Sequence, residues 1–307
     1  MTGSWERPGT VGALLRDGAE RLAKAGSESA RLDAELLLGH VLGVERTAVL
    51  AHPDALAGDG QREAFGALLH RRQAGEPVAY IRGLKEFYGL AFSIDRRALI
   101  PRPETERLVD LALERVRHRL SSTPRSADAP PLRMWDVGTG CGAIAVALAR
   151  TLDRGRYGTY VTIVASDISA EALDVAKENV VAHGLADRVV LVKGDLLAVS
   201  GVASDALDFV VANLPYVPGP AIAGLPIAAS FEPRIALDGG PDGLTVVRGL
   251  LRALPVELAE AGLALIEIGS DQADLAGAAA AELLPGWHAT VHDDLAGRPR
   301  VLEVGRS

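Results

Sequence analysis

Two different spacings of apolar residues divide the chain. Before residue 75, apolar residues recur every three to four positions, which predicts helices over 11–23, 32–41 and 61–72. Charged residues occupy the other faces of these segments. A Gly-Glu-Pro sequence then interrupts the pattern. We therefore predict a small helical domain over residues 1–75.

Residues 76–98 contain short apolar and aromatic runs that are separated by glycines. Such runs are typical of strands joined by tight turns. We predict a β-hairpin linker here, which leads into a second domain over 99–307.

In the second domain, apolar runs of strand length alternate with segments of helical periodicity. The predicted strands are 132–137, 161–166, 188–192, 207–212, 262–268, 287–292 and 299–304. The predicted helices lie near 142–152, 170–183, 242–260 and 271–284. This alternation predicts an α/β fold with a doubly wound, mostly parallel, seven-stranded sheet. The last two strands are close in sequence, which predicts an antiparallel edge hairpin. Residues 121–131 are predicted to form a polar, proline-rich loop.

Composition narrows the class of protein. The chain has 307 residues, of which 48% are hydrophobic, and its formal net charge is −8. This composition supports a buried core, and the acidic balance argues against a large non-specific nucleic-acid surface. An apolar run of about 18 residues and a secretory signal are both lacking from the sequence, so we expect a cytoplasmic protein without a membrane span. The single cysteine, Cys141, excludes internal disulfides and cysteine-rich zinc sites.

A glycine-rich turn follows the first strand of the predicted sheet, where the sequence is DVGTGCG over 136–142. Glycines allow a tight turn and a close approach of ligand to backbone, and the next helix presents free N–H groups. The spacing from Gly138 to Ala143 also satisfies the dinucleotide fingerprint. The turn therefore predicts a nucleoside ligand without choosing which one. Asp136 either receives an ammonium group of that ligand or bonds the amides of the turn.

Two further carboxylates end the next strands of the predicted sheet. Asp167 is placed to accept both hydroxyls of a ribose, or else to cap the helix that follows. Asp195 lies where an adenine ring would reach, and either accepts from its amino group or is solvated. Cys141 has no base adjacent in sequence, which favours a small buried residue over a nucleophile.

The most specific feature is the tetrapeptide Asn213-Leu214-Pro215-Tyr216, directly after the strand 207–212. The amide oxygen of Asn213 and the main-chain carbonyl of Leu214 can each accept a hydrogen bond from a substrate N–H. Tyr216 can stack on a planar group. Together they predict a clamp for a planar –NH₂ group, which would leave the nitrogen lone pair open to a methyl donor.

Taken with the glycine turn and the acidic strand end, this tetrapeptide resembles the class I AdoMet-dependent amino-methyltransferases. A wider pattern resembles the HemK/PrmC family, the peptide chain release factor N5-glutamine methyltransferases. The blocks that carry the resemblance are ARLDAELLLGHVLG, LIPRPETERLVD, DVGTGCGAIAVALA, NLPYVP, EPRIALDGGPDGL and EIGSDQ. They cover nearly the whole chain, in the family's order.

The resemblance implies the class I methyltransferase fold and methyl transfer from AdoMet, with S-adenosylhomocysteine as product. The acceptor would be the glutamine amide in the Gly-Gly-Gln motif of class 1 release factors. The implied cofactor-binding residues are Gly138, Thr139, Gly140, Cys141, Gly142, Asp167, Leu196 and Asn213. The implied substrate-binding residues are Asn213, Leu214, Pro215 and Tyr216, and the implied catalytic residues among them are Asn213, Pro215 and Tyr216.

The resemblance also implies partners. The helical domain would dock the release factor, and we expect a monomer that has no direct nucleic-acid substrate and no metal. His288 and His292 share a face of one strand, but no third metal ligand has a suitable spacing.

Two positions depart from the family pattern. Leu214 stands where the family usually has proline, but any residue supplies a main-chain carbonyl, and Pro215 keeps Leu214 extended. Leu196 stands where an aromatic residue is frequent, so we expect apolar packing without stacking. Asn-Leu-Pro-Tyr also occurs in rRNA adenine dimethyltransferases, although the RPETE block and the net charge argue against an RNA substrate.

Several residues have two interpretations. The RPETE block at 102–106 either lines the pocket or starts a helix with favourable early acids. The segment 232–234 is predicted as a surface turn, with the acceptor side of the pocket as the alternative. Glu267 and Gln272 are predicted to stabilise a strand end and a helix start.

Other functions remain as alternatives. The same chemistry could act on a ribosomal-protein glutamine or a nucleic-acid adenine. A non-catalytic AdoMet-binding module would not need the Asn213 clamp. An NAD-dependent dehydrogenase would need a general acid such as histidine at a strand end after the glycine turn, and the sequence has none there.

Overall fold

The computed structural model describes residues 9–122, 129–198 and 206–306. Residues 1–8, and residues 123–128 of the predicted polar loop, lie outside the described residues. The chain forms two compact units. One ends at Leu84 and also includes Pro226–Phe231, and the other contains the described residues of 85–225 and from Glu232 onward.

The first unit is helical, as predicted. Its helices are α1 (Val11–Lys24), α2 (Ala30–Leu42), α3 (Arg46–Ala51), α4 (Asp59–Gln73) and α5 (Val78–Arg82). The apolar face of each long helix enters one core, in which Leu22, Leu37, Phe65 and Leu69 are fully buried. The pattern predicted the three long helices, but not the short α3 and α5.

The predicted linker is only partly a hairpin. Its strands are β1 (Leu84–Phe87) and β2 (Leu90–Ser93), which pair with each other. The residues before them form α5, which begins after Pro77 and ends at Gly83 in the left-handed conformation. Proline preorganises a helix start and glycine terminates one, so five residues between them form a helical turn despite their apolar character.

The second unit is built on a seven-stranded sheet, which confirms the predicted α/β fold. Its strands are β3 (Leu132–Val137), β4 (Val161–Asp167), β5 (Val189–Lys193), β6 (Leu207–Ala212), β7 (Leu258–Glu267), β8 (Trp287–Asp293) and β9 (Pro299–Arg306). Its helices are α6 (Glu106–Ser122), α7 (Ala143–Arg154), α8 (Ala170–Ala182), α9 (Thr245–Glu257) and α10 (Ala273–Leu283). The order is β5-β4-β3-β6-β7-β9-β8, and only β9 runs antiparallel to its two neighbours.

The strand order reverses between β3 and β6, and this reversal positions the site. β3 pairs in parallel with β4 on one side and with β6 on the other. Loops that follow two such strands diverge to opposite faces and leave a crevice at the carboxyl ends. Below that crevice, Phe209, Val210 and Val211 of β6 are fully buried, as expected of a central parallel strand. Among the described residues, every helix is too short or too polar to cross a membrane.

Candidate active site

A pocket opens at the carboxyl ends of β3, β4 and β6, at the point where the strand order reverses. Its lining comes from several loops of the second unit. The lining residues include Leu99, Gly138, Gly140, Asp167, Asp195, Leu196, Asn213, Leu214, Pro215, Pro233, Ile235 and Val246. The glycine turn, the acidic strand ends and the start of the Asn-x-Pro-Tyr segment therefore meet in one cavity.

The glycine turn has a backbone that only glycine adopts readily. Gly138, Gly140 and Gly142 have φ values of 72°, 58° and 82°. A Cβ atom on Gly142 would lie 3.3 Å from the Cβ of Ala176, so this glycine also permits close packing of the turn on α8. A Cβ on Gly140 would meet nothing within 4 Å, because Gly140 borders the pocket.

Asp136 lies beneath this turn and is fully buried. Its Oδ2 accepts hydrogen bonds from the Thr139 hydroxyl at 2.6 Å and the Ala145 N–H at 3.1 Å. Its Oδ1 has no hydrogen-bond partner among the described residues. Burial raises the pKa of Asp136 to about 7. Asp136 therefore forms hydrogen bonds with the turn, as one of its two interpretations predicted. Its second carboxylate oxygen is buried and remains available to a ligand.

Asp167 lines the pocket and organises the turn from the side. Its Oδ2 accepts from the Gly140 N–H at 2.8 Å and its Oδ1 from the Ser169 N–H at 2.9 Å. The side chain of Ser169, rather than that of Asp167, caps α8 by accepting from the Ala172 N–H. Burial raises the pKa of Asp167 as well.

The other predicted cofactor residues lie around the turn. Leu196 lines the pocket beside Asp195 and has a φ of 53°. Thr139 is buried against Asp136. Cys141 is buried, and burial raises the pKa of its thiol to about 12, so the nucleophilic thiolate is disfavoured.

The Asn-x-Pro-Tyr segment is held by groups that are distant in sequence. Asn213 donates from Nδ2 to the Thr105 hydroxyl at 3.0 Å. The Tyr216 hydroxyl donates to Oε1 of Glu267 at 3.4 Å, and the Tyr216 carbonyl accepts from Nε2 of Gln272 at 2.9 Å. Burial raises the pKa of Tyr216 to about 12, which keeps its hydroxyl protonated.

The RPETE block starts a helix, as one of its two interpretations predicted, and none of its residues is among those that line the pocket. Residues Pro103–Thr105 form a 3₁₀ turn that starts α6, with proline in its first position. Thr105 is also buried and contacts Asn213. The block therefore begins a helix and supports the candidate clamp.

The prediction of a surface turn at 232–234 is wrong for Glu232. This carboxylate is buried. It is paired with Arg102, which donates from Nη2 to its Oε1 at 2.7 Å and to its Oε2 at 2.9 Å. Pro233 lines the pocket, and only Arg234 is exposed. Nothing in the local sequence reveals an ion pair that joins residues 130 positions apart.

Glu267 and Gln272 do more than stabilise a strand end and a helix start. Glu267 is fully buried at the end of β7. Gln272 accepts at Oε1 from the Gly269 N–H at 2.8 Å and donates from Nε2 to the Tyr216 carbonyl.

Of the two histidines considered as metal ligands, His292 forms a hydrogen bond through Nε2 with Oε2 of Glu303 at 2.9 Å.

Comparison with known proteins identifies the class of this protein as a methyltransferase. A family model described as "Methyltransferase domain" matches residues 135–225, and one described as "PrmC N-terminal domain" matches residues 13–83. The crystal structure of the hMettl16 catalytic domain in complex with a MAT2A 3′UTR hairpin shares the fold, with a TM-score of 0.53 at 18% identity over 81% of each chain.

Curated relatives narrow the class to one family. The release factor glutamine methyltransferase of Rhodopirellula baltica is 39% identical over 98% of both chains. That of Moorella thermoacetica is 42% identical over 86% of this chain and 87% of its own. The chain belongs to the release factor glutamine methyltransferase family.

Proposed function

We propose that this protein methylates the side-chain amide N5 of the glutamine in the Gly-Gly-Gln motif of class 1 peptide chain release factors. Near full-length similarity to release factor glutamine methyltransferases supports this proposal. The observation that carries it is the orientation of Asn213. Its Nδ2 is held by Thr105, at a pocket that Asn213 itself lines, so its oxygen is left to accept from a substrate amide.

The pocket suits AdoMet as methyl donor. Asp167 offers carboxylate oxygens for a ribose, and Leu196 offers an apolar surface for an adenine ring. Asp136 keeps a buried oxygen without a hydrogen-bond partner among the described residues, which fits a cationic ligand above the turn. When bound, AdoMet supplies an electrophilic methyl group on a sulfonium.

The residues of this chain position the acceptor. The Asn213 oxygen and the Leu214 carbonyl accept the two N–H bonds of the substrate amide, which fixes its plane and turns its nitrogen toward the donor side. Leu214 needs only its main chain for this role, and Pro215 holds it extended. Apolar side chains such as Leu99, Ile235 and Val246 line the pocket and would limit the contact of a bound ligand with water. The rate enhancement then comes from positioning and from preorganised dipoles.

The wider context follows from the substrate. The helical unit, which matches the PrmC N-terminal model over residues 13–83, would dock the release factor. The domain limits proposed from the sequence are 1–75, 76–98 and 99–307. With a release factor as substrate, we expect the reaction to occur in the cytoplasm, on a monomeric enzyme and without a direct nucleic-acid substrate.

The test is methyl transfer from labelled AdoMet to a purified class 1 release factor, with peptide mass spectrometry to locate the label. We expect the label on the Gly-Gly-Gln glutamine. It should disappear with Asn213→Ala and with a release factor whose glutamine is replaced. Label on a ribosomal protein or on RNA instead would reject the proposed acceptor, and AdoMet binding without any transfer would favour a binding module.

A further inference from the structure

We propose that Asn179 is a positioning residue that fixes the width of the candidate cofactor pocket. Its side chain is not part of the pocket lining, and it joins two stretches of backbone, the glycine turn at 138–142 and the end of β2 at Ser93. We name this arrangement the Asn179 bridge. The inference rests on the proposed function in one respect, because it takes AdoMet as the ligand of the pocket.

The side-chain amide of Asn179 is buried on α8 and bonds through its oxygen and both of its N–H groups. Oδ1 accepts from the Ser93 N–H at 2.7 Å, while Nδ2 donates to the Ser93 carbonyl at 3.0 Å and the Cys141 carbonyl at 2.9 Å. The reversed amide would set NH₂ against N–H and oxygen against two carbonyls. All three contacts therefore select one orientation, in a place where water does not replace them.

One of these contacts restrains the glycine turn. The carbonyl of Cys141 and the N–H of Gly142 belong to the same peptide group. The carbonyl accepts from Asn179, whereas the N–H donates to the Thr139 carbonyl at 2.9 Å. A peptide group that is bonded at both ends cannot rotate without leaving a buried group unpaired. Asn179 thus restrains the turn without lining the pocket that Gly140 borders.

The other two contacts hold the approach to a second wall of the pocket. Ser93 ends β2, and the chain then continues to residues 97–99, which line the pocket. Asn179 bonds both main-chain groups of Ser93, as a neighbouring strand would. The adjacent residue, Glu178, accepts at Oε1 from Nη2 of Arg97 at 3.0 Å. The wall at 97–99 is therefore anchored to the same helix as the glycine turn.

The spacing of residues on α8 explains how one helix holds both walls. Ala176, Asn179 and His183 follow one another by three and four positions, which places them on one helix face. The Cβ of Ala176 lies 3.3 Å from where a Cβ atom on Gly142 would be, so Ala176 packs against the turn. His183 lies against β2, with Nε2 2.8 Å from the Ala91 carbonyl. Asn179 lies between them and bonds both the turn and β2.

The bridge has a consequence for ligand affinity. A pocket whose walls are fixed before binding has less to order when the ligand arrives, which favours tighter binding. Loss of the bridge would let the glycine turn and residues 97–99 move independently, so AdoMet would bind more weakly. Asn213 follows β6 and has no part in the bridge, so the release factor should bind much as before.

The first test compares two variants of Asn179 with a control on the same helix face. Asn179→Asp keeps an acceptor for the Ser93 N–H but sets a carboxylate against the Cys141 carbonyl. Asn179→Ala removes all three hydrogen bonds without adding repulsion. His183→Ala removes a contact between α8 and β2 and leaves the glycine turn untouched. Each variant is measured at a temperature at which circular dichroism shows it to be folded.

We expect calorimetry to show a Kd for AdoMet at least tenfold higher in Asn179→Asp and at least fivefold higher in Asn179→Ala. His183→Ala should change this Kd less than twofold. The KM for the release factor should stay within threefold of wild type in all three. A wild-type Kd in both Asn179 variants would overturn the bridge. An equal loss of affinity in His183→Ala would also reject it, because any loosening of β2 would then suffice.

A second measurement uses the unmodified protein, and so decides the matter even if an Asn179 variant does not fold. Coupling between a binding site and a distant contact is reciprocal. Saturating AdoMet should therefore slow hydrogen exchange of the Ser93 backbone amide at least fivefold. The Tyr88 amide is the matched control, because it lies in the same hairpin but donates to Glu106 at 2.8 Å, and it should slow less than twofold. Equal slowing of the two amides, or of neither, would reject the bridge.

These outcomes are distinct from those that test the proposed function. An affinity for AdoMet that depends on Asn179, in a protein that methylates no release factor, would support the bridge and reject the proposed acceptor. Methyl transfer to the release factor by an Asn179→Ala enzyme with the wild-type Kd for AdoMet would support the proposed function and reject the bridge. A wild-type protein that does not bind AdoMet would reject both.

Discussion

The side chain of Gln272 donates from Nε2 to the main-chain carbonyl of Tyr216 at 2.9 Å, and so connects the start of α10 to the turn after β6. Its Oε1 accepts from the Gly269 N–H on the other side. Since Gln272 is buried, both ends of its amide are used where water does not replace them. Gln272 therefore fixes the backbone of the candidate clamp without reaching the pocket.

We predict that Gln272→Glu disturbs this backbone. The substitution keeps the shape and the acceptor but removes the donor, and it sets a carboxylate against the Tyr216 carbonyl. An unsatisfied buried group costs about 1–3 kcal/mol. We expect a lower Tm and a kcat/KM for methyl transfer at least tenfold lower, with Gln272→Ala less harmful to kcat/KM because it adds no repulsion. A Gln272→Glu enzyme with wild-type kcat/KM would contradict this role.

Gly140 and Gly184 form a matched pair for testing the pocket. Both have a positive φ, 58° and 66°, and a Cβ on either would meet nothing within 4 Å. Alanine at either position should lower the free energy of unfolding by about 1 kcal/mol, because a residue with a Cβ atom is strained in the left-handed conformation. Only Gly140 borders the pocket, so Gly140→Ala alone should weaken AdoMet binding, by tenfold or more in calorimetry. Equal binding by the two variants would exclude Gly140 from the cofactor site.

Asp136 should make stability depend on pH. Burial raises the pKa of Asp136 from its ordinary value near 4 to about 7, so the folded protein binds a proton that the unfolded chain releases. This contribution to stability is complete below the unfolded pKa and is lost as the pH rises through 7. Between pH 5.5 and 8 the loss is about 2 kcal/mol. Asp136→Asn should remove that part of the pH dependence of chemical denaturation. An unchanged slope would mean that Asp136 does not take up this proton.

The pair of Arg102 and Glu232 gives a prediction about stability. Glu232 is buried, whereas Arg102 is partly exposed. Removal of Arg102 would leave the buried carboxylate without a compensating charge. We expect the free energy of unfolding to fall by up to about 3 kcal/mol, the lower end of the usual range, because Arg102 is partly exposed. We expect Arg102→Met to destabilise more than Glu232→Gln, and the double variant to be less destabilised than the sum. An additive double-mutant cycle would show that the two side chains do not interact.

Local patterns predicted most of the fold, because strands and helices are encoded by neighbouring residues. The strands β3 and β6 have the predicted bounds, and α8 differs from its predicted range by one residue. The sequence pattern did not predict the short helix α5, because a segment of five residues is too short to show a helical period.

The candidate site was predicted only where its residues follow one another in the chain. Asn213 and Tyr216 belong to one tetrapeptide, of which Asn213, Leu214 and Pro215 line the pocket while Tyr216 does not. The groups that orient it come from elsewhere: Thr105 lies 108 residues before Asn213, and Gln272 lies 56 residues after Tyr216. Contacts at such separations depend on the packing of the whole sheet, which a single sequence does not reveal.

The position of β9 has a consequence for how the protein is made. Among the described residues, β9 is the last strand in sequence, yet it lies between β7 and β8 and is the one strand that pairs with β8. During synthesis, one edge of β7 therefore remains unpaired until the strand at 299–306 has emerged. The free N–H and C=O groups of such an edge can pair with strands of other chains. A nascent chain that lacks these residues would lose two strands at once. The sheet is therefore completed only when residues 299–306 have been translated, after every lining residue of the pocket named above.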